Sequence, residues 1–450
     1  MKKQINLLEG SILGSLTGLA LPIMATSLVQ MAYSLTDMAW VGRLGSQAVA
    51  AVGTAGMYTW LSQGVSMLPK MGGQIRVAQS LGEGRKEEAA LYAQGAIQLG
   101  VLFAVIFSAI MVVFSAPLIG FFHLGDAKTV YQSQVYLKIT CGAILFPFLN
   151  TILTGIFTAQ GDSRTPFMAN VAGLVVNMIL DPVMIFGVGP VPQMREAGAA
   201  VATVTAQMVV TLCFAAAIRK DLELFSRVHV FRKTPGFYLE TMIRLGLPSS
   251  IQNLLYTGIS MVLTRFVASW GDLAIAAQRV GSQVESISWM TAEGFGAAMN
   301  SFVAQNYGAR KYDRVKKGYH TATAVMFVWG SFCTALLIFA AEPIFQLFIT
   351  EADVLPYGID YLVVLGISQM FMCIELTTVG ALSGIGKTLL CSVISITLTS
   401  ARIPLALVLG SGALGLNGIW WAFTISSIAK GIVFFLCFIG VLRKLTEERR

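Results

Sequence analysis

The sequence predicts an all-α polytopic membrane protein with twelve transmembrane helices in two six-helix lobes, related by a pseudo-two-fold axis along the membrane normal. Three observations carry that expectation. Of 450 residues, 55% are hydrophobic and 12% are charged, against roughly 25% charged in soluble domains. Apolar stretches long enough to cross a bilayer, ~20 residues each, recur along the whole chain. The second half of the sequence also repeats the first at an offset of about 226 residues.

The twelve stretches run near 14–41, 46–69, 91–115, 131–158, 165–187, 197–218, 242–269, 274–299, 318–341, 357–384, 388–410 and 415–442. Backbone N–H and C=O groups find no water in hydrocarbon, so each stretch must close its own hydrogen bonds as a helix. The first is too long for a signal-peptide core and is followed by more of the same, so it reads as a span and not as a cleavable leader. Lys and Arg gather at the termini and in every even-numbered connection, among them Arg85, Lys86, Arg164, Arg219, Lys220, Lys311, Lys316, Lys387 and Arg443. The opposite side has few, namely Arg43, Lys128 and Arg195. The positive-inside rule then expects a multi-pass protein of the plasma (inner) membrane with both termini cytoplasmic. The expected organisation is an N-terminal lobe over 1–218, a cytoplasmic linker over 219–241 and a C-terminal lobe over 242–450.

The repeat is collinear over some 140 residues. Leu21-Pro22 returns as Leu247-Pro248, and Gly45 to Ala51 returns as Gly271 to Ala277. Val77-Ala-Gln79 returns as Val303-Ala-Gln305, Pro117 as Pro343 and, with one residue dropped, Gly155 and Gly161 as Gly380 and Gly386. Self-similarity of this length marks a duplicated structural unit. Six spans per copy is an even number, so both copies enter from the same side and form parallel repeats.

The first span carries Gln30, Tyr33, Ser34 and Asp37 at i, i+3, i+4 and i+7, one face of a helix. A carboxylate at that depth in an apolar helix is expensive and marks a function by default. The alternative is a polar patch that ties the span to a neighbour, which an amide alone would do. Pro22, fifteen residues earlier, removes a backbone hydrogen bond inside the span and invites a bend. The fourth span carries Tyr136 and a stripe of Asn150, Thr154 and Thr158. The fifth carries Asn170, Asn177 and Asp181 on one face, and the sixth Thr203, Thr205 and Gln207. Asp37 and Asp181 both fall in the outer halves of their spans, so they can lie at similar depth. Two acids sharing a poorly hydrated pocket do not both ionise cheaply; one takes a proton, or a cation sits between them. Carboxylates, an amide oxygen and a hydroxyl are hard donors suited to H+ or Na+, so either a proton or a Na+ ion is accommodated at Asp37, Asn177 and Asp181, and no other metal is expected. Zinc-type metals want His or Cys. His123, His229 and His320 have no ligand spacing, and the six cysteines sit in apolar segments as small core residues.

The second lobe lacks this set. The offset puts Leu263 opposite Asp37, Arg402 opposite Asn177 and Ala406 opposite Asp181. It has other charges: Arg265, Arg279, Glu285, Glu293, Glu375, Arg402 and Lys430. Glu285, Trp289 and Glu293, spaced by four, offer an aromatic face between two acids, a surface for an organic cation. Gln30, Ser34 and Glu375 complete the expected substrate-binding set. The competing reading pairs Glu285, Glu293 and Glu375 with Arg265, Arg279 or Arg402, while Arg279 and Lys430 snorkel to the interface.

Leu21-Pro22, Asp37-Met-Ala-Trp-Val-Gly42-Arg-Leu-Gly45, Gln160-Gly161-Asp162, Asn177-Met-Ile-Leu-Asp181-Pro182 and Gln305-Asn306-Tyr-Gly308 resemble the multidrug and toxic compound extrusion (MATE) transporters over essentially the whole chain. The resemblance implies a cation-coupled antiporter that moves H+ or Na+ inward and an amphipathic, often cationic, drug or toxic metabolite outward. The first lobe resembles the branch named after the DNA-damage-inducible protein F (DinF). By that likeness Asp37, Asn177, Asp181, Thr203, Tyr33 and Tyr136 form the coupling site and Pro22 the bend. The second lobe departs from the Na+-linked branch, whose seventh-span acid is replaced by the run Gln252-Asn253-Leu-Leu-Tyr256. A flippase for lipid-linked precursors is the alternative on the same architecture, but it would favour a basic cavity where this one is acidic. No HExxH, nucleophile motif or Walker loop is present, so neither an enzyme nor direct ATP coupling is expected. The expected partners are the lipid bilayer and a small-molecule substrate. No nucleic acid and no cofactor beyond the coupling ion are expected, and the protein is read as a monomer.

Overall fold

The structure is a computed structural model and describes residues 5–122, 126–187, 192–221, 223–348, 353–412 and 414–447. Both ends of the chain and His123 lie outside them. Among the described residues the expected twelve spans are present. The first six are α1 (Ile12–Gly42), α2 (Ser46–Gly82), α3 (Lys86–Val113), α4 (Ala127–Gly142 continuing as Leu145–Ala159), α5 (Arg164–Phe186) and α6 (Arg195–Ile218). The second six are α7 (Gly236–Ala268), α8 (Asp272–Gly308), α9 (Tyr312–Phe339), α10 (Leu355–Gly366 continuing as Gln369–Gly384), α11 (Thr388–Ser400 continuing as Arg402–Gly410) and α12 (Leu416–Glu447). Short helices Ser115–Gly120 and Ala341–Gln346 follow α3 and α9.

The repeat is visible in these boundaries. α2 and α8, α3 and α9, and the two short helices each begin and end 226 residues apart. The turns agree as well. Gly45 and Gly271 precede α2 and α8 at φ 105° and 100°, and Gly161 and Gly386 sit at φ 85° and 86°. Any side chain at these φ values would be strained, which explains why glycine recurs there.

The spans at 131–158 and 357–384, expected as single helices, are broken, with bends of 44° in α4 and 49° in α10. Pro147, just after the first break, has no N–H to return to the carbonyl of Ala143. The carbonyls freed at each break are met by side chains of the same kind. Ser108 Oγ on α3 donates to the Gly142 carbonyl at 3.3 Å, and Thr334 Oγ on α9, its repeat counterpart, to the Gly366 carbonyl at 2.9 Å. Ser368 Oγ and Gln369 Nε2 both donate to the Leu365 carbonyl, at 2.9 and 3.1 Å. The break in α11, at Ala401, falls three residues before Pro404, for the same reason as at Pro147.

Packing divides the chain into two compact units, one of Ala25–Ser250 and one that joins Ile5–Met24 to Ile251–Arg450. The division differs from cuts after 218 and before 242 in two places. The first half of α1 belongs with the second unit. Leu16, Leu19 and Ala20 pack there with Phe302, Tyr319 and Phe438. The segment before α1 is held by Asn306 Nδ2 on the Leu7 carbonyl at 3.0 Å and by the Arg314 guanidinium on the carbonyls of Leu7, Glu9 and Gly10. Conversely, the first half of α7 belongs with the first unit. A Cβ on Gly246 would lie 2.0 Å from the Leu68 carbonyl oxygen, and one on Gly72 2.3 Å from that of Met242.

The connection before α7 is bound to α3 rather than free. Gln94 Nε2 donates to the Arg232 carbonyl at 2.7 Å and to Thr234 Oγ at 2.9 Å, and Gln94 Oε1 accepts the His229 N–H at 3.1 Å. Phe225 is buried against Phe157. The first-unit core gathers Phe107, Tyr136, Phe148 and Ile185, and a second core in the other unit gathers Leu263, Phe345, Tyr361 and Trp420. Asp126 heads α4 and accepts from the Lys128 and Thr129 N–H groups and the Thr129 hydroxyl. These donors, the hydroxyl first, hold its carboxyl below the usual carboxylate range.

Candidate functional site

Four helices of the first unit deliver the polar groups anticipated from the sequence to one place. α5 brings Asn177 and Asp181, four residues apart on one face and both fully buried. Asn177 Nδ2 donates to Asp181 Oδ1 at 3.1 Å. α1 brings Tyr33 and Asp37, and the Asp37 carboxylate lies within electrostatic range of Asp181. α6 brings Thr203, whose hydroxyl stands beside that of Tyr33 without the geometry of a hydrogen bond. α4 brings Tyr136, buried and in the field of both carboxylates.

Hydrogen bonding within this group is incomplete. Tyr33 Oη, Asp37 Oδ1, Asn177 Oδ1, Asp181 Oδ2 and Thr203 Oγ are all shielded from solvent without a partner. Each such atom ordinarily costs about 1–3 kcal/mol, so five in one cluster are a feature to be explained. No Lys or Arg forms a salt bridge with Asp37 or Asp181 among the described residues. Five oxygens, two of them from carboxylates without a salt-bridge partner, make a set that a proton, or a small hard cation with its water, satisfies. No group of three or more His, Cys, Asp and Glu is placed to hold a metal among those residues.

Other members of the expected polar stripes are elsewhere. Gln30 and Ser34 are exposed, and Ser34 Oγ donates to the Gln30 carbonyl at 3.2 Å. Thr154 and Thr158 bond back to the carbonyls of Asn150 and Thr154, and Asn170 to that of Pro166. Asn150 joins α4 to α6, donating to Gln207 Oε1 at 2.9 Å and accepting from Thr211 Oγ at 2.8 Å. Thr211 was not anticipated. Its spacing of four from Gln207 is the signal that would have found it.

In the second unit the acids separate. Glu375 is buried and accepts from Lys430 Nζ at 2.8 Å. This corrects the two readings of these residues: Lys430 does not snorkel, and the partner of Glu375 is a lysine, not one of the arginines. Glu285 accepts from Gln369 Nε2 at 3.0 Å and from Tyr361 Oη at 3.2 Å. Trp289 and Glu293 are exposed, as are Arg265 and Arg279. The carboxylates of the expected cation surface are therefore not one constellation. Glu285 and Glu375 are engaged inside the unit, whereas Trp289 and Glu293 are exposed on its surface.

Comparison with known proteins bears on the whole chain. It is 26% identical over 437 residues to a probable multidrug resistance protein NorM of Thermotoga maritima, covering 96% of this chain and 94% of that one. It is 26% identical over 447 residues to a FAD transporter of Shewanella oneidensis, covering 97% and 96%. Among solved structures, a MATE in the bent conformation matches with a TM-score of 0.91 at 23% identity, covering 100% of this chain and 99% of that one. A MOP superfamily transporter from Pyrococcus furiosus matches with a TM-score of 0.90 at 22% identity, covering 99% of each. The family model described as MatE matches residues 22–183 and 248–408. Those two matches fall one on each copy of the repeat and together span more than half of the chain, which thus belongs to the MatE family of multi-pass membrane transporters.

Proposed function

We propose that the protein is a secondary active antiporter that exports amphipathic, often cationic, compounds in exchange for H+ or Na+ by alternating access of its two lobes. The observation that carries this reading is the cluster of five shielded, unpartnered oxygens that Asp37 and Asp181 form with Tyr33, Asn177 and Thr203. Asp37 and Asp181 take up the coupling ion. Asn177 orients Asp181 through its amide N–H and offers its own oxygen inward. Tyr33, Tyr136 and Thr203 line the same pocket. This is also the set that the likeness to the DinF-type branch implies. A proton and Na+ compete for it, because Na+ requires the ionised pair. A cation arriving from outside changes the balance between lobe states only through its different affinity for each. Trp289 and Glu293 present an exposed aromatic and acidic surface for the exported cation. The protein acts in the inner membrane with both termini in the cytoplasm.

The deciding experiment is efflux from proteoliposomes with a pH gradient and a Na+ gradient imposed separately. Export driven by one and not the other names the ion, and export driven by neither sinks the reading. A second substrate class, a flavin nucleotide, is favoured by the FAD transporter among the relatives. Running FAD beside a fluorescent organic cation in the same vesicles separates the two.

Pro22 lies inside α1, two residues before the point where that helix passes from one packed unit to the other. A proline at such a place leaves a carbonyl without its helical donor and lets the two halves move as separate rods. Pro22→Ala is expected to lower the transport rate severalfold while membrane expression stays near normal. If quantified efflux per unit of folded protein is unchanged, the helix does not flex there during transport.

A further inference from the structure

The second unit repeats the frame of the coupling site with its charges rearranged. Tyr136-Leu137 returns as Tyr361-Leu362, and both tyrosines are buried. At the same offset Asn177 becomes Arg402, Asp181 becomes Ala406 and Asn150 becomes Glu375, while Leu263 stands opposite Asp37. Arg402 is 5% exposed. Its Nε donates to Ser426 Oγ at 3.2 Å and a terminal nitrogen to Ser427 Oγ at 3.0 Å, and its guanidinium lies 5.0 Å from the Phe423 ring centre. It acts electrostatically on Glu285. Lys430, also within the field of Arg402, donates to Glu375 Oε1 at 2.8 Å, with the two side chains 8% and 7% exposed. The other oxygen of Glu375 and the amide oxygen of Gln369 are buried acceptors with no partner.

The two units solve one electrostatic problem in different ways. A carboxylate inside a membrane protein needs a counter-charge or a proton. At the coupling site the first unit holds two buried or half-buried acids, Asp37 and Asp181, and among the described residues no Lys or Arg forms a salt bridge with either. The second holds Glu285 and Glu375, and within the same fold places one Arg and one Lys among them. A cation tethered by a side chain cannot be exchanged across a membrane.

We propose that Arg402 and Lys430 are built-in counter-cations. They fill in the second unit the part that a mobile ion takes in the first, and so confine ion coupling to one site per transporter. Beneath Lys430 lies a latent site for H+ or Na+ at the Glu375 carboxylate, one oxygen of which is buried without a partner. This rests on the antiport reading above for the role of the mobile ion, but the latent site can be measured without it.

The test is ion binding to the purified full-length protein in detergent, with radioactive Na+ at neutral pH and with proton uptake on acidification. The double variant Asp37→Asn/Asp181→Asn serves as the parent, so that any binding at the first-unit site is suppressed. Adding Lys430→Gln is expected to confer binding of an additional Na+ or proton, and a further Glu375→Gln to abolish it. Binding unchanged by Lys430→Gln overturns the proposal. If Lys430→Gln does not fold, its yield is expected to recover in high Na+ or at acidic pH, and the neutral double variant Glu375→Gln/Lys430→Gln is expected to fold. No recovery under either condition, or failure of the double variant, assigns Lys430 a packing role and overturns the proposal as well. An unaltered wild type that takes up neither ion at Asp37, beside a clear gain in the Lys430→Gln variant, would instead refute the antiport reading and leave the latent site standing.

Discussion

Asp37→Asn is expected to reduce gradient-driven efflux to the level of protein-free vesicles while the protein remains folded in the membrane. The substitution keeps shape and hydrogen-bonding capacity and deletes the one property that the proposed exchange needs, a charge that can be neutralised by an incoming cation. Folding is spared because a shielded carboxylate without a fixed counter-ion is a cost to the native state and a neutral amide is a smaller one. Asp181→Asn is expected to behave nearly alike. Asp181 is the more deeply buried of the pair, and the amide that replaces it must reorient against Asn177 Nδ2. The readout is export of an organic cation under each gradient, normalised to monodisperse protein. Full export by both single variants would move the search to Glu285, Glu293 and Glu375.

Gly380→Ala is expected to be among the most damaging single substitutions for stability. A Cβ there would lie 2.1 Å from the carbonyl oxygen of Gly296, 2.8 Å from its carbonyl carbon and 3.0 Å from its Cα. The obstacle is backbone, so no side chain can swing aside. The same seam continues along α8 and α10: a Cβ on Gly296 would meet the Leu376 carbonyl oxygen at 2.6 Å, and one on Gly384 that of Asn300 at 2.6 Å. Small residues let helices approach closely where the hydrophobic effect offers no drive between them. Adding one methyl must therefore part the helices of the second unit along several turns, at a cost of about 3 kcal/mol or more, the upper end for overpacking. Gly53→Ala, with nothing within 4 Å of its new Cβ, is the matched control and is expected to change little. Thermal unfolding in detergent compares them. Equal melting of the two variants would mean that α8 and α10 are not in backbone contact.

Much of this is legible in the sequence alone. The membrane class and the twelve spans follow from composition, since hydrocarbon imposes one rule on every segment that crosses it. The repeat was visible because the turns between spans need glycine at fixed places, as at Gly45 and Gly271 or Gly161 and Gly386. Asp37, Asn177 and Asp181 stood out because polar groups in apolar helices are rare and expensive.

Other features were settled only by packing. Helical spacing put Gln30, Tyr33, Ser34 and Asp37 on one face, but a face is a broad arc. Only the neighbouring helices decide which flank is covered; here Tyr33 and Asp37 are partly covered while Gln30 and Ser34 are exposed. The pairing of Glu375 with Lys430 joins residues 55 positions apart, and no local pattern sets such a distance. The same holds for the division of the chain at Met24 and Ser250, within α1 and α7. Helix continuity is a local property of the backbone, whereas membership of a packed unit is a sum over contacts that a linear pattern does not contain.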